Sequence, residues 1–247
     1  MSHNITVQGG KSVRLPTAGK YCEQDIIITA EGGGGDSELP SGYSRVDFIE
    51  FSGDQFVDTG IIGNQDTQIS ASFTWGNATQ NHLFGCASSD NTASITSYMN
   101  GSWRFGNKSA TKTVNKNNTI LPYAACVNKS MIGVTGSNTS ISGVNDFETI
   151  GTMLLGGARS SSGALPSSGL VGRVFYFNVW QGDEQVIKLV PVVSADGVYR
   201  FWDMVSKTFF DSITDTPLDG GNLQFRAIEG SLFVYIEGDN INEINEV

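Results

Sequence analysis

Catalytic residue types are sparse in this chain of 247 residues. Its two histidines are His3 and His82, and neither is part of a recognisable Ser-His-Asp arrangement. His82 follows Asn81 and precedes an apolar run, a context typical of a structural histidine. The sequence therefore supplies no nucleophile together with its base.

Paired carboxylates give no stronger indication of catalysis. Some β-sandwich glycan hydrolases use Glu-x-Asp-x-x-Glu, in which strand alternation directs a nucleophile and an acid into one cleft. The nearest run contains Glu237 and Asp239, but Asn242 stands where the last glutamate is required. Asp54 and Asp58 are four residues apart and fit ordinary surface positions. We therefore predict no catalytic residue and no enzyme activity.

The best candidate for ligand binding is the segment 98–105, a predicted hairpin with Asn100-Gly101 at its tip. Carbohydrate binding requires an exposed aromatic face beside groups that form hydrogen bonds. The hairpin places four such residues near one edge: Tyr98, Asn100, Trp103 and Arg104. In the alternative, which the alternation favours, Trp103 and Phe105 both point into the core.

Composition indicates the kind of fold that must position these residues. The chain has 30 glycines, 16% charged residues, 39% hydrophobic residues and 10% aromatic residues. A disordered chain would not contain so many large rings. Few charges, many small polar residues and many aromatics predict an all-β protein with long loops.

Net charge and the first residues exclude several classes of partner. The formal net charge of −10 disfavours binding to a nucleic-acid backbone or to an anionic membrane. Residues 1–4 have neither a basic nor an apolar signal region, so we expect no signal peptide and no transmembrane segment. Cys22, Cys86 and Cys126 are widely spaced without a CxxC motif, which predicts reduced, partly buried thiols.

The main part of the chain reads as about a dozen short strands with turns between them. Apolar and polar residues alternate in 68–75, while 173–180 is apolar on both sides, as in a strand covered by a second sheet. Trp180 and Trp202 are expected in or near the core. This pattern predicts a two-sheet antiparallel jelly-roll sandwich.

Four segments are expected along the chain. Residues 1–30 form a small β module, with a hairpin around Gly9-Gly10-Lys11 and a third strand at 26–29. Residues 31–38 are a Gly-rich linker, 39–221 the jelly roll, and 222–247 a β hairpin with a fraying acidic tail. Thirty residues cannot bury a useful core alone, so the first module needs a partner or copies of itself. We expect a homo-oligomer, with a trimer the leading guess.

The opening of the main domain carries a resemblance to a known family. The segment begins Leu39-Pro40-Ser41-Gly42-Tyr43 and continues as Gly-x-Gln-aromatic-x-Asp-Thr-Gly at 53–60. It resembles the start of laminin-G-like (concanavalin A-like) domains in bacteriophage and prophage structural proteins. The segment 203–210, with the pattern Asp-x-Val-x-x-x-Phe-aromatic, is similar to the closing motif of that family, and 5–22 resembles a short module at the front of phage tail and fibre proteins.

This resemblance implies a virion structural protein of tail, fibre, baseplate or head-decoration type, made in a bacterial host cytoplasm. Its partners would be other virion proteins through the N-terminal module and a host-surface glycan, which we expect in the loops of 61–170. Two alternatives remain open: a glycan-active enzyme on the same fold, or a scaffold without a ligand. No cofactor is expected except calcium, which such sandwiches often bind through loop oxygens. The candidates are Asp90 with Asn91, and Asn145 with Asp146.

Overall fold

The computed structural model describes residues 39–76, 81–88, 92–114 and 122–223, and the backbone of five further strands near the chain ends. No membrane-spanning helix is found in these described ranges. The predicted strand 26–29 and the linker 31–38 lie outside them. The strands, numbered in chain order, are β1 (Asn4–Val7), β2 (Lys11–Arg14), β3 (Tyr43–Arg45), β4 (Phe48–Ser52), β5 (Val57–Asn64), β6 (Thr67–Phe73), β7 (His82–Ala87), β8 (Ser94–Tyr98), β9 (Gly101–Gly106), β10 (Lys108–Lys112), β11 (Tyr123–Asn128), β12 (Met131–Val134), β13 (Ser137–Ser140), β14 (Glu148–Leu155), β15 (Val171–Gln181), β16 (Glu184–Ser194), β17 (Tyr199–Asp203), β18 (Phe209–Phe210), β19 (Asp219–Gly221), β20 (Phe225–Ile228), β21 (Ser231–Glu237) and β22 (Asn240–Glu243).

Strands β3 to β19 form two antiparallel sheets. The six-stranded sheet has the order β10-β9-β8-β7-β14-β5. The eleven-stranded sheet follows the path β13-β12-β11-β6-β15-β16-β17-β18, with β3, β4 and β19 beside it. The all-β, two-sheet antiparallel jelly-roll fold predicted from the sequence is therefore confirmed.

Alternation along the strands decides which side of each sheet is buried. On β6, Ile69 and Phe73 are buried in the core, while Gln68 points outward and is half-buried. Rings from the two sheets meet in the core, where the centroid of Phe84 on β7 lies 5.7 Å from that of Phe177 on β15. The core is thus the layer of side chains between the facing sheets.

The conspicuous segment 53–60 has structural roles throughout. The Gln55 side chain is buried, its Oε1 accepts from Ser52 N at 2.8 Å, and its Nε2 donates to Pro217 O at 3.2 Å. Thr59 Oγ1 donates to Met153 O at 2.8 Å. These bonds fasten β5 and the turn before it to distant parts of the chain, so the motif reports on the fold.

Asp58 belongs to the same framework. Its spacing from Asp54 had suggested an ordinary surface position, but its carboxylate is ion-paired within the fold. Arg159 Nη2 donates to Asp58 Oδ2 at 2.6 Å, and its Nε donates to Thr152 O at 3.0 Å. Burial by itself would raise the pKa of Asp58. Hydrogen bonds from Thr152, Gly60 and Arg159 have the larger effect, so the pKa lies below its ordinary value. The pair secures the loop 156–169 to the six-stranded sheet.

The two longest strands diverge at one end of the eleven-stranded sheet. β15 and β16 pair from Gln181–Glu184 to Phe177–Leu189; beyond that point β4 pairs with β15 and β3 pairs with β16. We call this the wedge end. The sandwich chain enters here, because Leu39 packs on the cluster around Val192, and leaves here, because Leu223 N donates to Asp47 Oδ2 at 2.8 Å.

Several strands differ from the sequence-based expectation. The polar strands β10 and β13 were not predicted, because their sequences contain almost no apolar residues and so show no apolar alternation. The N-terminal hairpin is confirmed as the β1–β2 pair, and the C-terminal hairpin as β20–β21. The acidic tail was expected to fray, but β22 pairs with β21 as a third strand, so that expectation is wrong for Asn240–Glu243.

Candidate functional site

Trp103 lies in the core, so the prediction that it stacks on a sugar is wrong. The residue has no exposed surface. Its ring meets Phe84 edge-on, with 5.9 Å between centroids, and lies 6.5 Å from Phe73. Phe105 is equally buried. The alternative interpretation, in which strand alternation turns both rings inward, is confirmed.

The three other residues of the predicted site have separate positions. Tyr98 is half-buried, and Arg104 is exposed opposite Thr96 of β8, so both point outward from the six-stranded sheet. Asn100 has φ +51° at the tip of the hairpin, and its Oδ1 accepts from Val114 N at 2.7 Å. The structure brings Tyr98 and Arg104 to one face without Trp103 and uses the Asn100 carbonyl within the fold.

His82 is a structural histidine beside Tyr98. The two ring centroids are 4.9 Å apart, and within the structure described His82 Nδ1 is buried without a hydrogen-bond partner. Burial disfavours the charged imidazolium and lowers the pKa of His82 to about 4. The group is therefore neutral at pH 7.

This burial makes the stability of the protein depend on pH. The unfolded chain binds a proton at His82 near pH 6.5 and the folded chain only near pH 4, so stability falls as pH drops through that window. We expect a loss of up to about 3 kcal/mol between pH 7 and pH 4. His82→Phe keeps a ring beside Tyr98 and should lack this component. Urea melts across the window check it, and parallel curves for the two proteins would contradict it.

Of the four calcium candidates, the structure describes two. Asp90 and Asn91 lie outside the described residues. Asn145 and Asp146 are exposed, and Asn145 N donates to Asn107 Oδ1 at 3.2 Å. Among the residues described, no group of three or more His, Cys, Asp or Glu side chains could hold a metal ion.

Two hairpin turns and one turn that crosses between the sheets meet at the end of the sandwich opposite the wedge end and line an open pocket of about 250 Å³. The turns are 65–66 between β5 and β6, 129–130 between β11 and β12, and 182–183 between β15 and β16. We call this the turn pocket. Its lining residues are Gln65, Asp66, Gln68, Asn128, Lys129, Ser130, Gly182 and Asp183.

Hydrogen bonds tie the three turns together. Gly182 N donates to Asp66 O at 2.9 Å, and Lys129 Nζ donates to Asp66 Oδ1 at 2.9 Å. Gln68 Nε2 donates to Gly182 O at 2.8 Å. Because each turn is bonded to another, the pocket exists before any ligand binds, and less ordering is needed on binding.

Local sequence explains two of these turns. Gly182 has φ +61°, a left-handed conformation that two-residue hairpin turns favour and that glycine adopts without strain. Asn128 Oδ1 accepts from Ser130 N at 2.9 Å and from Met131 N at 3.0 Å, as asparagine does at the start of a turn. The Asn128 carbonyl thus shapes its turn, while its Nδ2 donates a long hydrogen bond to Cys126 Sγ at 4.0 Å.

The lining side chains are three amides, two carboxylates, one ammonium and one hydroxyl. Asp66 and Asp183 against Lys129 give the turn pocket a formal charge of −1. Amides and carboxylates offer donors and acceptors in fixed directions, which suits a small ligand rich in hydroxyl groups. The arrangement presents fixed polar groups to an open entrance.

Sequence reasoning missed the turn pocket, although part of the signal was present. Asn128-Lys129-Ser130 and Gly182-Asp183 lie between predicted strands and are readable as turns. Their meeting point depends on β5 lying in one sheet and β6 in the other, which carries the turn 65–66 across to the pocket. No local pattern reveals that crossing.

Of the two tryptophans expected in or near the core, Trp202 is confirmed there and Trp180 is not. Trp180 follows the fully buried Val179, points outward and is half-buried, so it is not a core residue. Trp202 is buried, but in a small second cluster, where its ring lies 4.8 Å from that of Phe209. Trp180 stands in register with Gln68, a lining residue of the turn pocket.

A scan against protein-family models and a search of the curated proteins both find no match for this chain.

Proposed function

We propose that this protein is a bacteriophage virion structural protein whose jelly roll binds a host-surface glycan in the turn pocket. The observation that carries the glycan part is the pocket itself, with three amides and two carboxylates held by bonded turns at an exposed end. Virion context is supported by the opening and closing motifs and by the phage-like N-terminal segment.

The direction of the long strands supports a display role. β16 begins at the turn pocket and ends at Ser194, which pairs with Tyr43 at the wedge end. Eleven residues of strand span roughly 30 Å. The flanking segments, proposed to attach to other virion proteins, thus join the sandwich at the end away from the pocket. A glycan could then reach the pocket while the protein remains attached.

Affinity at one such pocket is expected to be weak. The site is open and polar, and the Lys129–Asp66 ion pair is largely exposed, so each contact competes with water. A homo-oligomer or a particle with many copies multiplies weak binding through avidity. Cell adsorption then does not require tight binding by one copy.

A pair of matched aspartate variants tests the proposal. Asp183→Ala removes an exposed carboxylate from the turn pocket, while Asp196→Ala removes one from an exposed turn at the wedge end. Losing a hydrogen bond to a charged group should weaken glycan binding by about tenfold or more for Asp183→Ala alone. A glycan array followed by calorimetry on the hits measures this, with thermal midpoints expected to stay close to wild type.

Other outcomes would support the competing functions. Equal binding by both variants would remove the turn pocket as the site, and no binding of any glycan by the wild type would leave a scaffold. Release of reducing ends from wall or capsular glycans would indicate the enzyme alternative. We expect no such release, since the sequence has no Glu-x-Asp-x-x-Glu run.

A further inference from the structure

The outward face of the eleven-stranded sheet continues directly from the turn pocket. Across β6, β15 and β16, Gln68, Trp180 and Gln185 stand in one row. In a neighbouring row Ser70 stands in register with Asn178. Gln68 belongs both to the first row and to the pocket lining, so the face and the pocket form one continuous surface.

Trp180 is the aromatic residue of this face in the row of the pocket residue Gln68, while Tyr176 lies two rows further from the pocket. Its neighbour Val179 is fully buried in the core, whereas Trp180 is half-buried and not among the core residues. An outward indole beside polar amides is an arrangement that stacks on a sugar ring and hydrogen-bonds its hydroxyl groups. This is the combination expected of Trp103 and missing there.

Asn178 adds an unused polar group to the same face. Its Oδ1 is buried without a hydrogen-bond partner in the structure described, although the side chain as a whole is half-buried. An acceptor without a donor is unfavourable. Since Oδ1 is not held by any bond, rotating the amide outward sacrifices none at that atom, and a ligand hydroxyl can then donate to it.

Charge narrows the ligand class. The turn pocket carries a formal charge of −1 and the whole chain −10, so uronate, sialate or phosphate groups are repelled. Lys129, the ammonium among the pocket's lining residues, is already paired with Asp66. Lys188 is exposed beside Asn178 and offsets one of the negative charges. A neutral glycan meets no such repulsion.

We propose, as an extension of the proposed function, that the ligand is a neutral linear oligosaccharide of at least two units. One unit occupies the turn pocket. The next stacks on Trp180, and one of its hydroxyl groups donates to Asn178 Oδ1. Trp180 thereby sets a preference for chains over single sugars.

The test is a titration of neutral gluco-, manno- and N-acetylglucosamine oligomers, each from mono- to hexasaccharide, with oligouronates of the same lengths as the acidic comparison. Wild-type affinity should rise about tenfold from the monosaccharide to the disaccharide or trisaccharide of the matching series. Trp180→Ala should abolish that rise and leave monosaccharide affinity unchanged, while Trp180→Phe keeps most of it. Tyr98→Ala is the matched control, because Tyr98 is also half-buried on an outward face, but on the other sheet.

The outcomes separate this inference from the proposed function. If Asp183→Ala loses binding but Trp180→Ala keeps the full dependence on chain length, the turn pocket stands and the role of Trp180 is overturned. Stronger binding of acidic than of neutral oligomers overturns the assignment of ligand class. If the wild type binds no glycan on the array, the proposed function fails and this inference with it; if it binds array glycans but none of the neutral oligomers, this inference alone fails. The thermal midpoint of Trp180→Ala should stay near wild type, since the side chain lies outside the core.

Discussion

Replacing Trp103 by alanine should lower the thermal midpoint by roughly 6–20 °C and leave any glycan binding by the folded protein unchanged. Its ring is fully buried between the two sheets, against Phe84 and Phe73. Truncation of such a ring costs about 3–5 kcal/mol, through lost burial and the cavity that remains. Differential scanning calorimetry measures the shift, and binding is measured well below the new midpoint.

Trp103→Phe serves as the control for this prediction. Within the structure described, the indole Nε1 is buried and has no hydrogen-bond partner, so phenylalanine loses volume but no hydrogen bond. We expect a cost below about 2 kcal/mol. If Trp103→Ala instead melted with the wild type and lost cell binding, the ring would be exposed and the sequence-derived site would be correct after all.

Asp203→Ala should be the most damaging change outside the core. The residue is fully buried, and its Oδ1 accepts from Lys188 N at 2.7 Å and from Val205 N at 3.2 Å. Its Oδ2 accepts from Ser206 N at 3.0 Å and from Ser206 Oγ at 2.6 Å. Alanine leaves these donors without an acceptor, so we expect a loss of about 3 kcal/mol or more, measured by urea unfolding.

Two variants separate the effect of the Asp203 carboxylate as an acceptor from the effect of its size and shape. Asp203→Asn keeps the shape but places an NH₂ group where an acceptor is needed, so it should fall between wild type and Asp203→Ala. Ser206→Ala removes a single donor and should cost about 1 kcal/mol. Hydrogen exchange at the amides of Lys188 and Ser206 should accelerate in Asp203→Ala. A loss below that of Ser206→Ala would show that water replaces the carboxylate.

Core and motif residues were the part of this molecule most accessible from sequence. Strand alternation in 68–75 predicted its buried and outward faces, because a strand has a period of two. The segment 173–180 is apolar on both sides and was expected to be covered, whereas the residues on its outward side are half-buried. The alternation of Trp103 with Phe105 likewise indicated that both rings are buried. It was better evidence than the position of Trp103 near a turn, which had suggested an exposed binding residue. Asp203 lay within a noticed motif, but its four hydrogen bonds depend on the contact between β16 and the turn after β17.

The candidate site was much less accessible, for a physical reason. Gln65, Asn128 and Asp183 are ordinary turn residues, and a turn alone does not indicate a ligand. They become a site because strands distant in sequence bring three turns together. The strands β10 and β13 were not predicted for a related reason. They are strands because they pair with β9 and β12, and their composition does not indicate it.

The chain enters and leaves the sandwich at the wedge end. The sandwich could therefore be exchanged as a unit without changing the segments on either side. Asp47 bonds the departing chain at Leu223, and Leu39 packs on the neighbouring cluster. The segments on either side therefore join the domain at two neighbouring points, as the flanking chain joins a surface loop. The core of the domain does not have to fit the flanking segments. Recombination that exchanged residues 39–223 for another sandwich with adjacent ends would replace the whole two-sheet domain while leaving the flanking hairpins β1–β2 and β20–β21 intact.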